Sequence, residues 1–213
     1  MLNNYLPSDY QTFIATSRYA RWIEDKGRRE TWSETVQRYT DYLHSKGINL
    51  TGQDWDDIEG AILELEVMPS MRALMTAGVA ADRDNTCIYN CSYVAVDHPR
   101  AFDEAMFILL CGTGVGFSVE RQSISLLPEI PLALSQGNPT INVEDSKEGW
   151  ARALRSLIET LYSGVIPTWN LDAIRPAGSR LKTFGGRASG PEPLNDLFNF
   201  VVAKFKGASG RKL

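Results

Sequence analysis

Cysteine is the side chain in this sequence with the widest chemistry, and two of the three cysteines, Cys87 and Cys91, fall in NTCIYNCSYVAV, residues 85–96. The stretch is rich in Tyr, Val and Ile and reads as a strand over residues 87–96. Alternate residues of a strand share a face, so Cys87, Tyr89, Cys91 and Tyr93 are expected to point the same way. Two readings fit. Either both thiols are small core hydrophobes, or at least one does redox chemistry, Cys87 pairing with Cys91 or one of them with a thiol elsewhere. Zinc does not fit: a tetrahedral site needs four ligands, and only His44 and His98 accompany the cysteines, at unhelpful spacings. Cys111 closes an apolar helical run and reads as packing.

Two glycine-rich stretches are the other candidates. GTGVGFSV, from residue 112, tempts a dinucleotide reading, but that fingerprint needs strand, glycine turn and then helix. Here the helix comes first and the strand follows. The glycines either form an ordinary tight turn or let backbone pass close to a flat ligand or a neighbouring strand. FGGRASGPEP, from residue 184, combines the permissive Gly185 and Gly186 with the forked donors of Arg187. Ser189, Gly190 and Pro191 then lead into a helix whose first N–H groups are free, which is a fair anion site or else a solvated loop with a routine helix start.

These residues need elements to position them. The first 67 residues read as helical. In TWSETVQRYTDYLHSKG, Thr31 and Glu34 stand at capping-box spacing, Trp32, Val36, Tyr39 and Leu43 follow at helical intervals, and Gly47 suits the position after the last turn. A further helix is expected from about Asp54 to before Pro69. The charged SRYARWIEDKGRRE, with Arg18, Arg21, Arg28 and Arg29, reads as a solvated helical face. Beyond residue 67 strands alternate with helices: a short helix over residues 101–110, a strand over 115–119, a loop over 128–140, and the clearest helix in EDSKEGWARALRSLIETLYSG, capped by Asp145. A strand in GVIPTWNL and a final helix after FGGRASGPEP complete the pattern. It implies a parallel α/β sheet behind a helical region, with domains at 1–67 and 68–213.

Composition narrows the function classes. The formal net charge of −4 gives no global basic field, so direct nucleic-acid binding is not expected. No run of about 20 apolar residues spans a membrane. The amino terminus has no basic region followed by an apolar one, so no signal peptide is expected. A small odd number of cysteines argues against a disulfide scaffold and for the cytosol.

Six segments taken together resemble one family. RYARWIEDKGRRETWSETVQRY, MPSMRALMTAG, YNCSYVAV, GTGVGFSVERQSIS, EDSKEGW and IRPAGSRLKTFGGRASGPEPL occur from Arg18 to Leu194 in the order found in adenosylcobalamin-dependent (class II) ribonucleotide reductases. The chain is similar to the N-terminal part of those enzymes. The resemblance implies an N-terminal helical region followed by the first half of a ten-stranded α/β barrel. It also implies their chemistry, replacement of the ribose 2′-hydroxyl by hydrogen. The cobalamin generates a thiyl radical on a finger-loop cysteine, the 3′ hydrogen is removed, and two further cysteines supply the reducing equivalents and become a disulfide.

By the same resemblance, Cys91 is the first member of the reducing pair. Ser70, Asn90, Gly114 and Gly116 meet the substrate, and Gly185, Gly186, Arg187 and Ser189 belong to the loop that links a bound dNTP effector to substrate choice. Asp145 opens the helix whose end helps form the effector site. No metal ligands are expected here, since the cobalamin contacts fall mostly in a later part of the family. The partner cysteine and the thiyl cysteine also come later, so the chain is expected to be inactive without a C-terminal reductase half. A thioredoxin-like reductant is implied. The short 128–140 segment, where some relatives carry a long insertion, points to a homodimer. The expected location is the cytoplasm, including a host's if the protein is viral. A non-catalytic nucleotide-binding regulatory protein derived from the same half is the alternative.

Overall fold

The computed structural model describes residues 5–181, 183 and 185–211. The reading of the amino terminus rests on residues 1–4, and part of the glycine-rich loop on Lys182 and Phe184; these lie outside the described residues. The chain divides into two compact units, Met1–Asn90 with Lys182–Gly185, and Cys91–Leu181 with Gly186–Leu213.

The first unit is mainly helical. Helix α1 (Asp9–Ile14) runs into a wider π-helical turn (Ala15–Tyr19). The expected helix then fails. Residues 22–29 instead form a small antiparallel hairpin of β1 (Trp22–Ile23) and β2 (Arg28–Arg29), turned by Gly27 at φ 58°. Nor are its arginines merely solvated: Arg29 donates to the Ala20 carbonyl at 2.8 Å, and Arg21 is half-buried.

Helix α2 (Trp32–Ser45) starts as its sequence requires. Thr31 Oγ1 accepts from Glu34 N at 3.2 Å, and Glu34 Oε2 accepts from Thr31 N at 2.8 Å. Gly47 ends it at φ 73°, where a side chain would be strained. Helix α3 (Gly52–Leu63) begins two residues earlier than expected, because Thr51 and Asp54 form a second capping box. Trp32, Val36, Ile62 and Leu74 build the core, with Trp32 Nε1 donating to the Leu63 carbonyl at 3.1 Å. Helices α4 (Met71–Thr76) and α5 (Val79–Arg83) and a 3-10 turn (Asn85–Ile88) complete the unit.

The second unit is built from parallel strand–helix–strand pieces. Strand β3 (Cys91–Ala95) crosses through α6 (Ala101–Leu110) to β4 (Gly114–Ser118), and the short α7 (Arg121–Ile124) follows. Strand β5 (Ser135–Asn142) crosses through α8 (Lys147–Tyr162) to β6 (Val165–Asn170), and α9 (Glu192–Gly207) closes the chain. Leu154, Leu157, Leu161, Phe198 and Phe205 from α8 and α9 form the core with Ile166 of β6. Among the described residues the strands make separate two-stranded ladders rather than the one parallel sheet expected, and both crossovers join parallel strands, which is compatible with an α/β architecture.

Much of the segment expected as loop over residues 128–140 is strand β5. Its ladder with β6 breaks between Gln136 and Thr140, directly across from Pro167, which has no N–H to give. Pro139 lies inside that irregularity. Pro139 and Pro167 therefore mark a bulge in the ladder, not its absence, whereas residues 128–134, with Pro128 and Pro131, carry no strand.

Candidate functional site

The site begins where β3 begins. Cys87 is not on that strand: it lies in the 3-10 turn and is fully buried, its carbonyl accepting from Arg72 Nε at 3.0 Å. The shared face expected for Cys87 and Cys91 is thus corrected. Turn residues are held by i→i+3 bonds and do not alternate. Cys91 is the first strand residue and is exposed, whereas Cys111 is buried at the end of α6. Lys147 Nζ lies 3.1 Å from the Cys111 sulfur and 4.8 Å from the Phe107 ring centre, which fixes Cys111 within the helix packing.

The parallel register sets Cys91 against Gly114 and Tyr93 against Gly116. Residues paired in a ladder point to the same face, so the face that carries the Cys91 thiol has no side chain on the neighbouring strand at either position. Ser92, on the opposite face, donates through its hydroxyl to the Gly114 carbonyl at 3.2 Å. A Cβ placed on Gly116 would meet only Ser92 O, at an ordinary 3.6 Å. The fold therefore does not require glycine at 116, and the bare strand leaves room for something to lie on backbone beside a thiol.

Ser70 and Asn90 are placed in the first unit. Ser70 is exposed at the head of α4, and its side chain makes no capping bond. Asn90 is exposed at the end of the segment that follows the 3-10 turn. The Arg72–Cys87 hydrogen bond ties the two segments together one turn from each residue. The sequence reading passed over Arg72; its partner is a backbone carbonyl, which no residue pattern announces.

The second cluster is a hairpin in the second unit. Gly178 N donates to Ala188 O at 2.9 Å, Ala188 N to Ser179 O at 2.7 Å, and Leu181 N to Gly186 O at 3.0 Å. Arg180 and Arg187 stand opposite each other across it. Arg187 Nη1 reaches the Gly178 carbonyl at 2.9 Å, and Ser189 Oγ donates to Gly190 O at 3.2 Å. Gly185, Gly186 and Gly190 have φ of 76°, 89° and 79°, a backbone that glycine adopts without strain. At Gly190 a Cβ would also meet the Ala177 nitrogen at 2.9 Å.

Asp145 is not the cap of α8. That residue is Ser146, whose Oγ accepts from Gly149 N at 2.9 Å. Asp145 instead accepts from Arg175 Nε at 2.6 Å. Both residues can offer a polar group at position 145 or 146, and the backbone geometry of the entering chain selects the serine. Arg175 was missed because its partner is thirty positions away.

Among the described residues no group of three His, Cys, Asp and Glu side chains is placed to hold a metal ion. His44 lies edge-on to Trp55 at 5.4 Å, and His98 sits beside Asp97. No helix among them is long and apolar enough to cross a membrane. Two concave spaces, of about 660 Å³ between α2 and α5 and about 420 Å³ between α6 and α8, contain none of Ser70, Asn90, Cys91, Gly114 and Gly116. The Cys91 side chain is exposed at the start of β3.

A family model described as "B12-dependent ribonucleotide reductase, insertion domain" matches residues 134–203, the stretch from β5 into α9. The adenosylcobalamin-dependent ribonucleoside-triphosphate reductase of Lactobacillus leichmannii is 26% identical over 263 residues, covering 92% of this chain and 36% of that protein. That stretch is longer than this chain's 213 residues, so the relative carries segments absent here. The enzyme of the same name from Euglena gracilis is 27% identical over 219 residues, covering 92% of this chain and 29% of its own. A solved class II, B12-dependent ribonucleotide reductase superposes with a TM-score of 0.82 at 24% identity, over 94% of this chain and 37% of that one. The chain spans about a third of the length of the curated relatives it matches.

Proposed function

From a chain that resembles the N-terminal portion of an adenosylcobalamin-dependent (class II) ribonucleotide reductase, we propose that this protein supplies the first reducing cysteine and the substrate and effector loops of such an enzyme. Residues 1–67 serve as its helical region and residues 68–213 carry the loops. The observation that carries the reading is the exposed Cys91 on a rigid strand beside Gly114 and Gly116.

A ribonucleotide lies on the glycine backbone with its sugar toward the Cys91 sulfur. The strand pair holds that sulfur at one distance, so the entropy of bringing thiol and sugar together is spent in folding. By the family resemblance, Ser70 and Asn90 are further candidate contacts to the nucleotide. The net change is reduction: the C2′–OH bond breaks, a C2′–H bond forms and water leaves. Cys91 and a second thiol on the remainder of the reductase lose two hydrogens and join as a disulfide. A thioredoxin-like dithiol restores both. Adenosylcobalamin, held by the remainder, supplies the radical that starts the reaction.

The hairpin with Arg180 and Arg187 receives the phosphates of a dNTP effector, where forked guanidinium donors and flexible glycine backbone suit a polyphosphate. Asp145 and Arg175 form the adjoining rim. The protein works in the cytoplasm, as a complex with the C-terminal half.

The test is reassembly. Mixed with that half, a ribonucleotide, a dithiol and adenosylcobalamin, the wild-type chain should form deoxynucleotide. Cys91→Ser should lower multiple turnover by more than about a hundredfold, about 2.7 kcal/mol or more. Serine cannot close the disulfide. Undiminished turnover in Cys91→Ser sinks the redox assignment. Binding of dNTP with no turnover under any pairing favours the regulatory alternative.

A further inference from the structure

We infer that Arg21 is a positioning residue that couples the effector loop to the substrate side of the first unit; the inference rests on the loop assignments proposed above. Its side chain joins two segments distant in sequence. Nε donates to the Met75 carbonyl near the end of α4 at 3.0 Å, and Nη1 donates to the Thr183 carbonyl. Helix α4 opens at Ser70, and from the same helix Arg72 holds the Cys87 carbonyl on the way to Asn90. One guanidinium thus touches the backbone of the loop and of the helix that presents the candidate substrate residue.

Arg21 is itself held firmly. Its backbone N–H donates to Glu30 Oε2 at 2.9 Å, and its carbonyl accepts from Glu30 N at 2.7 Å. Glu30 is buried and is fixed in turn by Arg38 at 2.8 Å and Thr35 at 3.2 Å. Burial and the neighbouring Arg38 push the Arg21 pKa down, and Glu30 opposes them. A fold that needed only to fill this space would use an apolar side chain at less desolvation cost. A forked cation placed between two carbonyls is suited to sensing the distance between them. Spatial intermediacy alone is not coupling, so the inference stands or falls on a measured coupling.

The experiment uses the chain reassembled with the C-terminal half. Substrate preference is measured without effector and with each dNTP, in wild type, Arg21→Gln and Arg21→Lys. Arg21→Gln should retain effector-free turnover within about threefold, while an effector-driven shift in preference of about tenfold or more collapses to below about twofold. Arg21→Lys, which keeps the charge but not the fork, should fall between. Hydrogen exchange is read in parallel. In wild type, dNTP should slow exchange both around Thr183 and in residues 72–76, and in Arg21→Gln only around Thr183. Full effector switching in Arg21→Gln overturns the inference. So does an effector-free turnover that falls as far as the effector-stimulated one, since that marks a structural role. Absence of any dNTP response around Thr183 in wild type overturns the effector-loop reading and this inference with it, whereas a response there that Arg21→Gln transmits unchanged overturns this inference alone.

Discussion

At Gly116 a methyl group would lie 3.6 Å from Ser92 O, an ordinary contact, and the backbone is outside the left-handed region. Alanine there should stabilise the chain by about 0.4–1 kcal/mol, through the lower entropy of its unfolded state. If a nucleotide lies on this backbone, the same methyl group enters the substrate's space. Gly116→Ala should then show an equal or higher Tm with a KM for ribonucleotide raised by roughly tenfold, about 1.4 kcal/mol. A raised Tm with unchanged KM would return Gly116 to the status of a turn-adjacent strand residue. The contrast with Gly190 is useful. There the Cβ clash at 2.9 Å and the positive φ predict lost stability, so a functional defect in Gly190→Ala would say little about ligand.

At the scale of elements, α2 offers the clearest pH signature. The Glu34 carboxyl is held well below the usual carboxylate range, first by hydrogen bonds from Arg28 and Lys26 and then by the Thr31 N–H. A carboxylate with a depressed folded-state pKa stabilises the fold above its unfolded pKa of about 4.3 and loses that contribution as pH falls through the folded value. Glu34→Gln should cost at most about 1 kcal/mol at pH 7, because glutamine at this position keeps the capping box and the ion pairs with Arg28 and Lys26 that it loses are partly exposed. The gap to wild type should close as pH is lowered from about 5 to about 2; a gap that stays constant in thermal melts would contradict the assignment.

This cap was legible in the sequence because it is local: Thr31 and Glu34 are three residues apart and no distant partner decides the outcome. The same holds for α6 and β4, which fall within a residue of expectation. Elements fixed by distant partners were not legible. Strand β5 exists because β6 pairs with it around a bulge, and its proline, Pro139, argued locally for a loop. The β1–β2 hairpin replaced an expected helix because Gly27 can turn the chain and Glu30 clamps Arg21. At the candidate site, Cys91, Gly114 and Gly116 were singled out by the family resemblance; type and spacing alone left the cysteines open as core residues and the glycines as an ordinary turn. The exclusion of Cys87 depended on where the strand starts, and the Arg175 partner of Asp145 on packing across thirty residues.

For the whole molecule the question is what covers the β3–β4 ladder. Each of its strands has one unpaired edge among the described residues, and Tyr93, Phe117 and Val119 on or beside it are 67%, 67% and 56% exposed. Unpaired edges with large apolar side chains beside them are sites for another chain. A half-barrel joined by the remainder of a reductase would be capped there by further strands. Under the proposed function two pairings would compete for the edges: self-association of this chain, and addition of a C-terminal reductase half. The chain alone should bind a hydrophobic dye and associate in a concentration-dependent way, and the C-terminal half should suppress both. Amide exchange reports the same event at the backbone. Strands β3 and β4 should exchange rapidly in the isolated chain and slow by more than about a hundredfold on mixing, about 2.7 kcal/mol of added protection. The Leu154–Leu161 region of α8, already buried against α9, should change little. Protection that appears in α8 and not in β3–β4 would place the partner on a different face and remove the basis for closing the Cys91 site with a second polypeptide.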